Sequence, residues 1–320
     1  MMWWAYTGRM DITLTQLRYF SEAAAQLSMT GAAERLNVAQ SAVSSAVAQL
    51  EKQIGSQLFI RQRAKGLLLT QSGELFLKDA NAVLAHLEEV VENAKGDQAS
   101  VSGVVRLACF STLAPFHIPD LVNRLKADHP DLVLEVIEAD AAGCSRALSE
   151  GQADLALCYD LGLPENVSTS TVSNARPYIA LPRGHRLAGK KAVKLQQLST
   201  EPFILLDMPH SKDLMLSILR QAGVEPDVRF QSASYETVRT FVAHSHGYSI
   251  LHQRPTHSMT YDGNEVAIVE IADQVPELRT VLAYLRSQRP TGRMRAVADA
   301  VHAQIAGRAK GPGTAGVQPV

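Results

Sequence analysis

Apolar and polar residues recur with a helical period at the start of the chain. In TLTQLRYFSEAAAQL the apolar positions form one continuous face on a first helix. Ser28 can cap a second helix, MTGAAERL, because a serine hydroxyl accepts a hydrogen bond from a first-turn amide. A short turn around Asn37 and Val38 then leads to a third helical stretch. The apolar face of the first helix holds Leu17, Phe20, Ala24 and Leu27.

The third stretch begins at Gln40 and has two contrasting sides when residues are spaced by about 100°. Val43, Val47, Leu50 and Ile54 fall within one narrow arc, and Ser41, Ser44, Ser45, Ala48 and Lys52 fall on the opposite side. A helix with such small outer side chains fits the major groove of DNA, because nothing bulky keeps it off the bases. A surface helix that is merely rich in serine would show the same pattern.

A basic hairpin follows in LFIRQRAKGLLLT, where three cationic side chains precede a turn at Gly66. Arg61, Arg63 and Lys65 are predicted to form a wing that contacts phosphates or the minor groove. A solvated charged hairpin is the alternative, and the neighbouring helix-turn-helix favours DNA.

A long helix is predicted next, capped by Thr70 and running from Gln71 to about Lys95. Its apolar residues alternate steps of four and three, which is the a/d spacing of a coiled coil. We therefore predict a dimer seam, with a helix packed only on its own domain as the alternative. The seam residues are Phe76, Ala80, Val83, Leu87 and Val90. The segment NAKGDQASVSG, centred on residues 96–102, predicts a hinge.

The remaining chain alternates strand-like and helix-like segments, which predicts parallel sheet covered by helices. Examples are the strands GVVRLACF, LVLEVIEAD and ADLALCY and the helix SKDLMLSILRQAG. The final strand RTVLAYLR and the helix after it are expected to return to the first of two lobes. The predicted lobes are residues 103–175 with 276–306, and residues 176–275.

Ligands in open α/β sheets bind at the carboxyl ends of the strands, and polar residues stand at several such ends. Ser111 and Thr112 end the first strand and begin a helix, which suits a carboxylate, although plain helix capping would explain them too. Three aspartates on this rim and His210 leave open a ligand with an amine as well as an acid. The candidate effector residues are Phe110, Ser111, Thr112, Asp140, Tyr159, Asp160, Asp207, Met208, His210, Ser211, Tyr235 and His252.

Composition separates the basic N-terminal segment from the rest of the chain. The 320 residues carry a net charge of -1, whereas six Lys or Arg against three Glu give residues 13–70 a local charge of +3. The first segment is thus the candidate for a polyanion partner. Residues 1–12 and 307–320 are expected to be disordered. No apolar run is long enough for a membrane span.

The cysteines and histidines predict neither a cofactor nor a metal site. The odd number of cysteines, three, is against a disulfide framework and favours a reducing cytoplasm. Cys144 and Cys158 as a thiol switch are a weak alternative, because Cys158 lies in an apolar strand. A metal cluster of His244, His246, His252 and His257 is a similarly weak one.

The segment 17–77 resembles the winged helix-turn-helix of LysR-type transcriptional regulators. The resemblance rests on the AAERL helix, the QSAVS start of the third helix, LE…IG…LF and LT…GE. It implies an all-α winged domain, a linker helix and an α/β, two-lobed effector domain like the periplasmic binding proteins. It implies DNA contacts by Thr30, Gln40, Ser41, Ser44 and Ser45, with Arg61, Arg63 and Lys65 on the wing.

Some positions depart from the family pattern. Ala39 stands where a capping Ser or Thr is common, Ser41 where Pro is frequent, and Ser45 and Gly31 where longer polar or basic residues are common. These differences bear on operator affinity and sequence rather than on the fold.

The expected function is a cytoplasmic bacterial regulator that binds an inverted-repeat operator in double-stranded DNA. Its other expected partners are a small-molecule effector and RNA polymerase. The chain is expected to form a dimer, and two dimers are expected to pair into a tetramer. An enzyme is not expected, since no G-x-S-x-G elbow, phosphate-binding glycine loop or zincin motif is present in the sequence. A solute-binding module without DNA function is the alternative.

Overall fold

A computed structural model of the protein describes residues 11–62, 66–94 and 101–309. The chain forms two compact units. One is built on the residues before Val101, and the other on most of the chain from Val101 onward.

The N-terminal unit contains the three short helices, the hairpin and the long helix that the sequence predicts. The antiparallel hairpin pairs Phe59 with Leu69 and Gln62 with Gly66. Its elements are α1 (Leu14–Gln26), α2 (Met29–Leu36), α3 (Gln40–Ile54), β1 (Phe59–Gln62), β2 (Gly66–Leu69) and α4 (Gln71–Ala94).

Side-chain caps fix where most of these helices begin. Thr13 and Gln16 form a reciprocal capping box at α1. The Ser28 hydroxyl accepts from the amide of Gly31 at 3.1 Å, and the Thr70 hydroxyl accepts from Gly73 at 2.9 Å. The predicted caps of α2 and α4 are thereby confirmed. The N-cap residue of α3 is Ala39, which offers no side-chain hydrogen bond.

The core of this unit is apolar and ties the helices to the hairpin. Phe20, Val43, Val47 and Leu50 are fully buried, so the apolar arc predicted for α3 is confirmed at those three positions. The Glu51 carboxylate accepts from the amides of Leu58 and Phe59 at 2.8 and 3.1 Å, which joins the end of α3 to β1.

The predicted disordered segments, residues 1–12 and 307–320, extend too far into the folded part of the chain. Ile12 packs against the N-terminal core, and the last helix continues to Ala309. Residues 1–10 and 310–320 lie outside the described residues, as do residues 96–100 of the predicted hinge.

The C-terminal unit contains two β-sheet lobes. The first sheet uses strands from 103–175 and 278–285, and the second lobe uses strands from 178–271. The strands are β3 (Gly103–Phe110), β4 (Leu132–Ala139), β5 (Leu155–Tyr159), β6 (Val167–Ala175), β7 (Tyr178–Pro182), β8 (Ala192–Val193), β9 (Pro202–Leu206), β10 (Asp227–Ser232), β11 (Ser249–Leu251), β12 (Val266–Ile271) and β13 (Leu278–Leu285).

Helices connect these strands in the order that the sequence predicts. They are α5 (Ala114–Asp128), α6 (Ala141–Ser149), α7 (Ser211–Gln221), α8 (Tyr235–Ala243) and α9 (Gly292–Ala309), with a short 3-10 helix at Leu195–Leu198. His302 of α9 lies 3.1 Å from the Ser170 hydroxyl of β6, so the last helix packs on the first lobe.

The first sheet has the strand order β4-β3-β5-β13-β6, and the second lobe contains β11-β7-β12-β8 and the pair β10-β9. Parallel pairing, as predicted, joins β3 to β4 and β5, and β9 to β10. The final strand β13 returns to the first sheet, as predicted, and it is antiparallel to β5 and β6 because it enters from the second lobe. A βαβ repeat makes neighbours parallel only when the chain returns to the same end of the same sheet.

Candidate functional site

Within the part of the chain that the structure describes, the outer side of α3 is exposed. Gln40, Ser41, Ser45 and Lys52 are exposed, and so is Thr30 on α2. Ser44 is half-buried, and its hydroxyl accepts from the Gln40 side-chain amide at 2.8 Å. The surface is therefore small, hydroxyl-lined and open, as a helix in a major groove requires.

The start of α3 also has an electrostatic preference. Its first turn has no acidic residue, and Ala39 leaves the first-turn amides without a side-chain acceptor. Free amides at a helix N-terminus attract anions such as phosphate.

The wing is described only in part. The β1 backbone places Arg61 opposite Leu67. Arg63 and Lys65 lie outside the described residues, so their predicted phosphate contacts stay a prediction.

The predicted dimer seam divides into a buried part and an exposed part. Ala80 is only 2% exposed, and the Phe76 ring lies 5.3 Å from that of Phe20 in the core of its own unit. The prediction that Phe76 and Ala80 belong to the dimer seam is therefore wrong. The three later positions, Val83, Leu87 and Val90, are exposed.

Side chains of both lobes meet in a hydrogen-bonded group, called here the tyrosine cluster. The hydroxyls of Tyr178 and Tyr235 both donate to the carbonyl oxygen of Gln253, at 2.9 and 2.6 Å. The Gln253 amide in turn donates to the Tyr159 hydroxyl at 2.7 Å, which joins the second lobe to the first. The tyrosine cluster comprises these four hydrogen-bonded residues, Tyr159, Tyr178, Tyr235 and Gln253, together with His252, whose ring lies next to Tyr159.

Aromatic rings surround the tyrosine cluster. The Phe110 and Tyr159 rings are 5.0 Å apart, and the Phe116 and Tyr235 rings are 6.1 Å apart, both edge to face. The His252 ring lies 6.4 Å from that of Tyr159. The site thus combines ring faces with a few polar atoms, as small-molecule sites do.

Burial keeps the cluster uncharged. Desolvation raises the pKa of Tyr159 to about 12, against hydrogen bonds from Gln253 and Thr112 that lower it. Desolvation likewise raises the pKa values of Tyr178 and Tyr235. It lowers the pKa of His252 to about 4, so that imidazole is neutral at pH 7.

The structure brings five of the twelve predicted effector residues to this cluster. They are Phe110, Thr112, Tyr159, Tyr235 and His252. Ser111 is half-buried next to them in the chain.

The predicted acidic rim is mostly neutralised. Asp160 pairs with Arg279, and Asp207 pairs with Lys212 at 3.1 Å. Asp140 caps α6 by accepting from the Gly143 amide at 2.7 Å. An amine-bearing ligand therefore has no support from these carboxylates.

The other predicted residues lie in the loop before α7. Met208 and Ser211 are buried, whereas His210 is exposed with a φ of 62°. The His210 ring lies beside Gly162 of the first lobe.

The sequence missed Tyr178 and Gln253. Tyr178 begins a strand, and ligands in open α/β sheets are expected at the carboxyl ends of strands. Gln253 directly follows the predicted His252, and that adjacency was the available signal.

The cysteines are unsuited to redox chemistry. Cys109, Cys144 and Cys158 are all buried and free. Desolvation raises the pKa of all three thiols, to about 12 for Cys144, which leaves little of the reactive thiolate.

No metal-binding group of three or more His, Cys, Asp or Glu side chains is found within the described residues. His244 instead bonds Asp262 at 2.7 Å. Within the same described part of the chain, no helix is long and apolar enough to cross a membrane.

Two family models match the chain. Residues 14–74 match the bacterial regulatory helix-turn-helix protein of the lysR family. Residues 98–306 match the LysR substrate binding domain.

Similar proteins agree with these matches. The HTH-type transcriptional regulator YnfL of Escherichia coli is 30% identical, and the alignment covers 89% of this chain and 96% of that protein. A probable hydrogen peroxide-inducible genes activator of Mycobacterium leprae is also 30% identical, with 89% and 92% covered.

Solved structures show the same architecture. HinK of Pseudomonas aeruginosa, a LysR family regulator, is 32% identical with a TM-score of 0.62, covering 92% of this chain and 99% of that one. Full-length OxyR from the same organism shares the fold, with a TM-score of 0.77 at 24% identity and 91% and 98% covered. The chain therefore belongs to the LysR family of transcriptional regulators, which are not enzymes, and it carries their DNA-binding helix-turn-helix and effector-binding domain.

Proposed function

We propose that this regulator binds an inverted-repeat operator through the outer side of α3. The observation that carries the proposal is the exposure of Ser41 and Ser45 above a fully buried Val43 and Val47. Gln40, Ser44 and Thr30 extend the same surface, and Arg61, Arg63 and Lys65 are proposed as phosphate contacts of the wing.

Two-fold symmetry of the operator requires a dimer, and α4 supplies a surface for one. Val83, Leu87 and Val90 keep the a/d spacing and are exposed, so we propose them as the seam. Pairing of dimers through the effector domains and contact with RNA polymerase stay predictions, as does a cytoplasmic location.

The tyrosine cluster is the proposed effector site. Its hydrogen bonds cross from one lobe to the other, and a ligand that bonds there competes with the Tyr159–Gln253 contact. A change in lobe packing would alter the spacing of paired recognition helices and thereby promoter output.

The chemical class of the effector depends on which polar groups of the site are free to bind it. A carboxylate, predicted from Ser111 and Thr112, is one class, but the Thr112 hydroxyl is already bonded to Tyr159. An uncharged ring compound is the other class.

The test is a titration of the purified protein on its own upstream intergenic DNA and on scrambled DNA of equal length. We expect binding to be at least about 1,000-fold tighter on the upstream DNA at physiological salt. Affinity on both DNAs should fall steeply with salt, since phosphate contacts release counterions. Equal affinity for the two DNAs would refute operator recognition.

A further inference from the structure

His252 carries a polar atom that the folded chain leaves without a partner. Its Nε2 is buried and makes no hydrogen bond, although its neighbours in the tyrosine cluster are all bonded to one another. Leaving a buried nitrogen without a hydrogen bond is unfavourable, so a partner there would be stabilising. The atom is thus positioned to bond a ligand.

The position of His252 distinguishes it from other unbonded groups. The Tyr248 hydroxyl, for example, is buried beside Phe203 in the apolar core of the second lobe. His252 instead lies beside Tyr159, at the point where the two lobes are hydrogen-bonded.

Two arginines next to the cluster, Arg239 and Arg254, are already paired with carboxylates. Arg239 bonds Glu236 at 2.7 Å and the carbonyls of Ser258 and Met259 at 3.0 Å. Arg254 lies 4.9 Å above the Tyr178 ring and forms two bonds, of 2.7 and 3.0 Å, with Glu270. A carboxylate that entered the cluster would lose its hydration without gaining an unpaired cation.

We propose that the ligand of the tyrosine cluster is an uncharged molecule with a planar ring and a hydrogen-bonding group that meets Nε2 of His252. In the proposed complex the ligand's ring packs among Phe110, Phe116 and Tyr159, the aromatic residues that surround the cluster. This assignment rests on the proposed effector site and narrows its ligand class away from carboxylates.

Matched probes test the charge of the ligand. Benzamide and benzoate have the same ring and differ chiefly in charge, and phenol and benzyl alcohol are further uncharged probes. Binding to the full-length protein at pH 7.5 is measured by calorimetry and by saturation-transfer NMR. We expect benzamide to bind at least tenfold more tightly than benzoate. Equal or tighter binding of benzoate overturns the proposal, and so does failure of all three uncharged probes to bind.

Variants at one position test the anchoring atom. His252→Phe keeps a ring but removes Nε2, and we expect it to weaken benzamide at least tenfold. His252→Gln restores a polar group and is expected to recover part of the affinity. If His252→Phe binds benzamide with the same affinity as the wild-type protein, Nε2 of His252 is not the atom that anchors the ligand. Should His252→Phe not fold, as judged by circular dichroism, His252→Gln against His252→Ala decides the same question.

The DNA titration separates this proposal from the proposed function. If operator binding is specific but responds to benzoate and not to benzamide, the ligand class is wrong and the regulator function stands. If no specific operator binding is found, the regulator function fails, while the probe affinities still decide the ligand class.

Discussion

The outer side of α3 and the tyrosine cluster differ in how side chains make a binding surface. On α3, the binding surface consists of small residues such as Ser41 and Ser45, which none of the described residues covers. In the cluster, Tyr159, Tyr235 and Gln253 are bonded to one another across two lobes. Enlarging a side chain should therefore damage the first site, and removing a polar atom should damage the second.

The largest expected effect comes from filling the bare side of α3. Ser41→Trp should lower operator affinity by roughly 1,000-fold, towards the level of non-specific DNA, because the indole keeps the helix off the bases. Fluorescence anisotropy with operator DNA measures this.

Gln53→Trp is the matched control. Gln53 is exposed on the same helix, about 120° around from Ser41 by the helical spacing. Equal losses from both variants would contradict the assignment of the DNA-binding side. Circular dichroism checks that both variants fold.

A second effect comes from the neutral state of His252. Its pKa is about 4 in the folded protein and about 6.5 in an unfolded chain, so the unfolded state binds more protons between these values. This difference in pKa contributes at most about 3 kcal/mol to the free energy of unfolding. The contribution is fully present above pH 6.5 and is lost as the pH falls to 4.

Urea unfolding at pH 7.5, 5.5 and 4.5 checks this linkage. His252→Gln removes the titrating group and should flatten the pH dependence over that window. His257→Gln, at an exposed histidine, should leave it unchanged. If His252→Gln follows the same pH dependence as the unchanged protein, His252 is not buried as a neutral group.

A smaller effect is expected at the start of α3. Ala39→Ser should stabilise the N-terminal unit by about 1 kcal/mol, because Ala39 already has the extended backbone of a cap and lacks only the acceptor. Ser28→Ala should cost a similar amount at α2, where the hydroxyl is in use. Thermal unfolding measures both, and a loss of stability in Ala39→Ser would show that the hydroxyl does not reach the first-turn amides.

The smallest expected effect is that of an oxidant. Millimolar hydrogen peroxide should leave operator affinity unchanged, since all three thiols are buried and their pKa values are raised. Thiol titration with and without urea checks their burial. A peroxide-dependent change in affinity that Cys144→Ser abolishes would establish a thiol switch despite this burial.

Local signals in the sequence were enough to predict the N-terminal unit. Helix starts follow from single caps such as Ser28 and Thr70, and the sides of α3 follow from its period. The apolar period of α4 could not show that Phe76 and Ala80 face their own core, because a dimer seam and an intramolecular contact both need apolar residues.

The C-terminal site depended on contacts that are distant in the chain. Tyr178 reaches Tyr235 and Gln253 only after β7 is placed between β11 and β12. Strands such as β6 and β12 were not predicted, because β6 is polar with only its first residue buried, and β12 follows a turn-rich segment. Ion pairing of Asp160 with Arg279 likewise joins residues far apart in sequence.

Site-directed crosslinking tests most directly whether DNA lies against the small side of α3. A photoreactive azidophenacyl group is attached to Ser45→Cys, where the buried native thiols should not compete for the label. Gln53→Cys carries the same group as the control. We expect crosslinks from position 45 to bases within the operator and far fewer from position 53. Crosslinks that are absent at position 45, or equally frequent at both positions, would contradict this expectation.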